Sequence, residues 1–100
     1  MWKVKASIDF WKTVAPFKEK YSKAEYIFII KTIREAILEL QEKGHVECAG
    51  WSEHQLTKYP YNDGNRFEFH IHDDDVLVVY FKRESKRVIR MVGVYSHESI

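Results

Sequence analysis

His54, His70, Asp74 and His97 are the residues of this 100-residue chain whose types and order suit proton chemistry. An imidazole titrates near neutrality and can take or give a proton, while a positioned carboxylate accepts one or fixes an imidazole's orientation. His97 is the most oddly placed. It follows the apolar run Val88-Ile89-Arg90-Met91-Val92 and sits at the exit of an expected final strand. Such a set suits cleavage of RNA by its own 2′-hydroxyl. The hydroxyl loses its proton and attacks the adjacent phosphorus, and the leaving 5′-oxygen is protonated. That reaction needs a base, an acid and cationic donors for the phosphorane oxygens, and it needs no metal or other cofactor. Two plainer readings stand beside it. Each histidine taken singly is also explained as a surface or hydrogen-bonding residue. His70 and His72, two apart on one strand face with Asp74 following, could instead chelate zinc, although no cysteine or helical His-Glu-x-x-His motif accompanies them.

Composition narrows the classes. The length fits one domain, residues 1–100, and 45% hydrophobic residues with 15% aromatic ones supply a compact core. The formal net charge of +1 gives no global attraction to nucleic acid. The cations are clustered, however, at Lys12, Lys18, Lys20 and Lys23 and again at Lys82, Arg83, Lys86, Arg87 and Arg90. Cys48 is the single cysteine, which excludes an intrachain disulfide and fits a reducing cytosol. No apolar run approaches a membrane span and the N-terminus lacks a signal-peptide core, so a cytoplasmic protein with no membrane partner is expected.

The elements that would position these residues follow from periodicity. Trp2 to Ile8 alternates as a half-buried strand. Phe10 to Phe17 fits a short helix limited by Pro16. Ser22 and Glu25 form a capping box ahead of apolar residues at Tyr26, Ile30, Ile33, Ile37 and Leu40, and Gly44 ends the pattern, so a helix spans 23–43. Ile27, Phe28 and Leu38 widen its apolar surface, which fits a thick core better than a partner-facing side. Residues 44–64 read as loop. Strand character returns at 66–72, with Phe67, Phe69 and Ile71 inward and Glu68, His70 and His72 on the other face. Asp73-Asp74-Asp75 makes a turn, 76–81 is apolar on both faces and so central, 82–86 turns again, and 87–95 is the last strand. The fold class is α+β: an N-terminal strand, two helices, then a three-stranded antiparallel meander in one sheet.

The pieces His54-Gln-Leu, Arg66-Phe-Glu-Phe-His70-Ile-His-Asp-Asp74-Asp-Val-Leu-Val-Val-Tyr80, and Arg90 through Ser96-His97 resemble the bacterial RelE/ParE toxin superfamily. Within it they are most similar to the YafQ-like mRNA interferases. The resemblance implies a ribosome-dependent endoribonuclease of a type II toxin-antitoxin system, acting on mRNA in the A site of the 70S ribosome and neutralised by a cognate antitoxin protein. It implies that His54 and His70 lie at the reacting phosphate, that Asp74 is the general base and that His97 is the general acid. Lys82 and Arg90 are added as phosphate contacts because the chemistry needs cations. Family members are usually strongly basic, so ribosome binding by this near-neutral chain would be weaker or concentrated on one face. The gyrase-directed ParE branch is an alternative that would not need the four proton-carrying residues together. An interaction domain with structural histidines is another.

Overall fold

The computed structural model describes residues 1–46, 54–55, 65–71 and 76–96, with only the backbone pairing given for 54–55. Its strands are β1 (Lys3–Lys5), β2 (His54–Gln55), β3 (Arg66–Ile71), β4 (Val76–Arg83) and β5 (Val88–Tyr95). Its α-helices are α1 (Ile8–Val14), α2 (Phe17–Lys20) and α3 (Lys23–Lys43). One mixed sheet has the order β1-β5-β4-β3-β2. β3, β4 and β5 form the expected antiparallel meander, and β1 adds parallel to β5, with Val4 opposite Ile89. The architecture is the expected α+β one with a further two-residue strand, since His54 and Gln55 pair antiparallel to Glu68 and Phe67 in a stretch read as loop. Asp74, His72 and His97 lie outside the described residues, as do the expected turn at 73–75 and most of the expected loop at 44–64.

Local chemistry sets the helix ends. In α3 the Ser22 hydroxyl accepts from the Glu25 N–H at 3.2 Å, and the Glu25 carboxylate accepts from the Ser22 N–H at 3.1 Å. This satisfies two amides that the first helical turn leaves open. Pro16 divides the preceding segment into α1 and α2. Ser7 caps α1, its hydroxyl accepting from the Phe10 N–H at 3.2 Å. That start draws Ile8 out of the expected strand, which shortens β1 to three residues. The Thr13 hydroxyl donates to the Phe10 carbonyl at 2.6 Å and accepts from the Val94 N–H at 2.8 Å. Val94 lies beyond the reach of β1, which pairs β5 only from Val88 to Arg90, so Thr13 supplies a partner for an amide the ladder leaves over.

The core lies between the helices and one face of the sheet. Ile29, Ile33, Ala36 and Leu40 of α3 are buried there with Phe10, Val14, Phe69, Val76, Val78 and Tyr80. The buried stripe of α3 is therefore turned about one residue from the expected one, leaving Tyr26, Ile30 and Ile37 only partly buried. Ile27, Phe28 and Leu38 are 56%, 50% and 63% exposed, so they do not thicken the core as expected. Apolar residues occupy so much of this helix's circumference that periodicity alone cannot fix its inward line.

Gly44 closes α3 at φ 78°, its N–H donating to the Leu40 carbonyl at 2.8 Å. The Trp2 indole lies against it, while the Trp2 N–H donates to the Gln41 carbonyl at 2.8 Å. An added Cβ would meet both a left-handed backbone and the indole. Gly44→Ala should cost at least about 1–2 kcal/mol in denaturant-induced unfolding, with part of the loss recovered by adding Trp2→Ala. A neutral Gly44→Ala would show that neither constraint operates.

Candidate functional site

The sheet face turned away from the core is built by register. From β3 it takes Arg66, Glu68 and His70; opposite them on β4 stand Phe81, Val79 and Leu77. From β5, Arg90 stands opposite Phe81, Gly93 opposite Val79 and Tyr95 opposite Leu77, while Lys5 of β1 is paired with Arg90. Leu77 and Val79 are buried although they lie outside the main core cluster. This face therefore has an apolar floor with polar groups along it.

A bulge decides what β5 contributes. Between Val79/Gly93 and Tyr80/Met91 the register slips by one, so Val92 has no cross-strand partner. Strict alternation from Ile89 and Met91 would send Gly93 and Tyr95 to the core. With the bulge, Val94 goes there, and Gly93 and Tyr95 join the open face. The Tyr95 phenol then lies across Gly93, where any Cβ would collide with it.

At the Tyr95 end of the face, His70 Nε2 lies 3.5 Å from Glu68 Oε1, with 25% and 16% of the two side chains exposed. The pair is partly shielded yet open to a ligand. A carboxylate there can orient the imidazole ring. Glu68 was not singled out as a site residue, although its two-residue spacing from His70 already placed it on the same strand face. Tyr95 could not have been found without the bulge.

Of the other expected site residues, His54 occupies the register position opposite Glu68, next to that pair. Arg90 is exposed on the same face. Lys82 points the other way from Phe81 along β4; it is 5% exposed, with its ammonium 4.4 Å from the centre of the Phe67 ring. Asp74 and His97 lie outside the described residues, but the strand ends from which the chain continues to them stand together, Ile71 opposite Val76 and Tyr95 opposite Leu77. Among the described residues no group of three side chains is placed to hold a metal ion, and no helix is long and apolar enough to cross a membrane.

No protein-family profile matches the sequence, and no curated protein matches it. Solved structures do. A copper-bound mutant toxin from Helicobacter pylori is 21% identical and aligns over 100% of this chain and 99% of its own, with a TM-score of 0.69. The fold is that of RelE-like toxins. A metal-bound toxin from Helicobacter pylori aligns at 17% identity over 100% and 99%, with a TM-score of 0.63. A mutant of E. coli toxin RelE in the free state aligns at 13% identity over 98% of this chain and 85% of its own, with a TM-score of 0.59.

In this RelE-like sheet the contact between Tyr95 and Gly93 is directly testable. Gly93→Ala should destabilise the protein by about 1–3 kcal/mol, and Tyr95→Ala in the same chain should recover most of that. Unfolding in denaturant measures both. Additive losses in the double variant would mean that the two residues do not touch.

Proposed function

We propose that this chain is the toxin of a type II toxin-antitoxin system, a YafQ-like endoribonuclease that cleaves mRNA in the A site of the ribosome. The observation that carries the proposal is the His70–Glu68 pair, set on the open face of a RelE-like sheet that also displays Arg66, Arg83 and Arg90. It joins an imidazole that can act at a phosphate to cations that can hold one.

In the proposed reaction Asp74 takes the proton of the 2′-hydroxyl. The freed oxygen attacks the adjacent phosphorus, and the bond from phosphorus to the 5′-oxygen breaks. His97, as imidazolium, gives its proton to that leaving oxygen. The products are a 2′,3′-cyclic phosphate and a 5′-hydroxyl. His70 and His54 contact the phosphate as its charge redistributes, and Glu68 keeps His70 oriented. Of the two expected phosphate contacts, Arg90 stands toward the Phe81 end of the face, where it suits a neighbouring phosphate of the same strand, and Lys82 is the weaker choice because of its burial. The steps balance with the chain's own acid and base and need no cofactor. A protein antitoxin would hold the toxin inactive until it is degraded, and both would work in the cytoplasm.

Induction of the chain in bacteria should arrest translation, and Asp74→Ala, His97→Ala or His70→Ala should relieve the arrest. Loss of a general acid or base typically lowers the rate by about 10²–10⁴-fold. Mapped mRNA 5′ ends should fall in phase with the reading frame. Intact mRNA with arrested replication would contradict the proposal, as would undiminished arrest in the Asp74→Ala/His97→Ala double variant.

A further inference from the structure

The open face has a second feature that the proton chemistry leaves unused. At the end of the sheet away from His70, three guanidinium groups surround the ring of Phe81. The Arg66 Cζ lies 4.8 Å from the ring centre, and those of Arg83 and Arg90 lie 5.9 Å from it. They come from β3, β4 and β5. The register explains their meeting, because Phe81 is flanked directly by Arg66 on one side and Arg90 on the other, with Arg83 two residues along its own strand.

None of the three arginines has an ion-pair partner among the described residues. The Arg66 Nη1 atom is buried without a hydrogen-bond partner. An aromatic ring attracts each cation through its quadrupole but leaves the mutual repulsion of three like charges in place. Anionic oxygens among them would relieve that repulsion. A cleft of about 750 Å³ opens at this end of the sheet; Arg83, Lys82 and Lys86 line it with Phe81 and Phe67, and Glu84 is its one carboxylate. Lys5, opposite Arg90 on β1, extends the positive charge along the same face.

The position of this cluster selects among anions. Arg66 and His70 lie four residues apart on β3, roughly 13 Å along the strand. A ligand reaching both ends of the face must therefore be an extended polyanion. We propose that the Phe81 end of the sheet binds phosphates of single-stranded RNA flanking the phosphate held at His70. This rests on the nuclease reading for its register but not for its binding. Arg66, Arg83 and Arg90 each hold phosphate oxygens through their planar forks, and Phe81 keeps the forks apart at a fixed spacing. The site also concentrates cationic binding on one face of a chain whose net charge is only +1.

The test is binding of a short 2′-O-methyl RNA, which lacks the attacking hydroxyl, to the purified full chain between roughly 50 and 200 mM salt. Arg83→Gln and Arg90→Gln should each lower affinity several-fold at low salt. Each should also flatten the slope of log affinity against log salt by about 0.7, the value expected for one phosphate contact on a single strand. Arg83→Lys, which keeps the charge, should keep the slope. Unchanged slope and affinity in both Gln variants would overturn the proposal. So would equal competition by an acidic peptide of matched charge, which would make the cluster a protein-docking surface. The two readings separate cleanly. Frame-phased cleavage in cells with no slope change would remove the flanking site and leave the nuclease, while a slope change without cleavage would do the reverse.

Discussion

β4 is paired along its length on both sides, with β3 and with β5, and its residues from Val76 to Tyr80 are buried whichever face they occupy. Val76, Val78 and Tyr80 fix the helices on one side of the sheet, while Leu77 and Val79 form an apolar floor on the other. A strand buried on both faces has no freedom to slip, because a one-residue shift would exchange the two sets against partners of different shape. The open face of the sheet depends on that constraint. His70, Glu68, Tyr95, Arg66 and Arg90 take their places as cross-strand neighbours of β4, and Arg83 stands on β4 itself, so the floor holds the polar groups at set intervals.

The bulge at Val92 is the second determinant. It reverses the facing of the end of β5, turning Gly93 and Tyr95 outward while the beginning of the strand continues to place Ile89 and Met91 in the core. One strand thus serves two surfaces. Thr13 secures the reversed portion to α1 by accepting from the Val94 N–H. The open face consequently carries a phenol across Leu77 and Val79 from the imidazole–carboxylate pair, with guanidinium groups farther along.

The limits of sequence reading follow the range of the interactions involved. The ends of α3 were legible to the residue, because the Ser22–Glu25 box and the left-handed Gly44 are local devices. The facing of β3 and the double burial of β4 were legible from two-residue periodicity. His70 could be placed beside polar neighbours for the same reason. The parallel docking of β1 on β5 and the pairing of β2 were not, since each depends on a partner distant in the chain. Nor was the inward line of α3, whose apolar residues point in too many directions. The cluster at Phe81 was invisible because its arginines come from three strands and meet only once the register is known. Asp74 and His97 stand on the sequence pattern, with His70 as the anchor to the described face.

The central claim is that the 2′-hydroxyl of the RNA is itself the nucleophile. The most direct measurement is cleavage, by the purified chain, of ribosome-bound mRNA carrying a single 2′-deoxynucleotide on the 5′ side of the cut. All-ribose mRNA should yield 2′,3′-cyclic phosphate and 5′-hydroxyl ends, and the deoxy substitution should abolish cutting at that position alone. Cleavage that survives the substitution, or that leaves 5′-phosphate ends, would contradict the account.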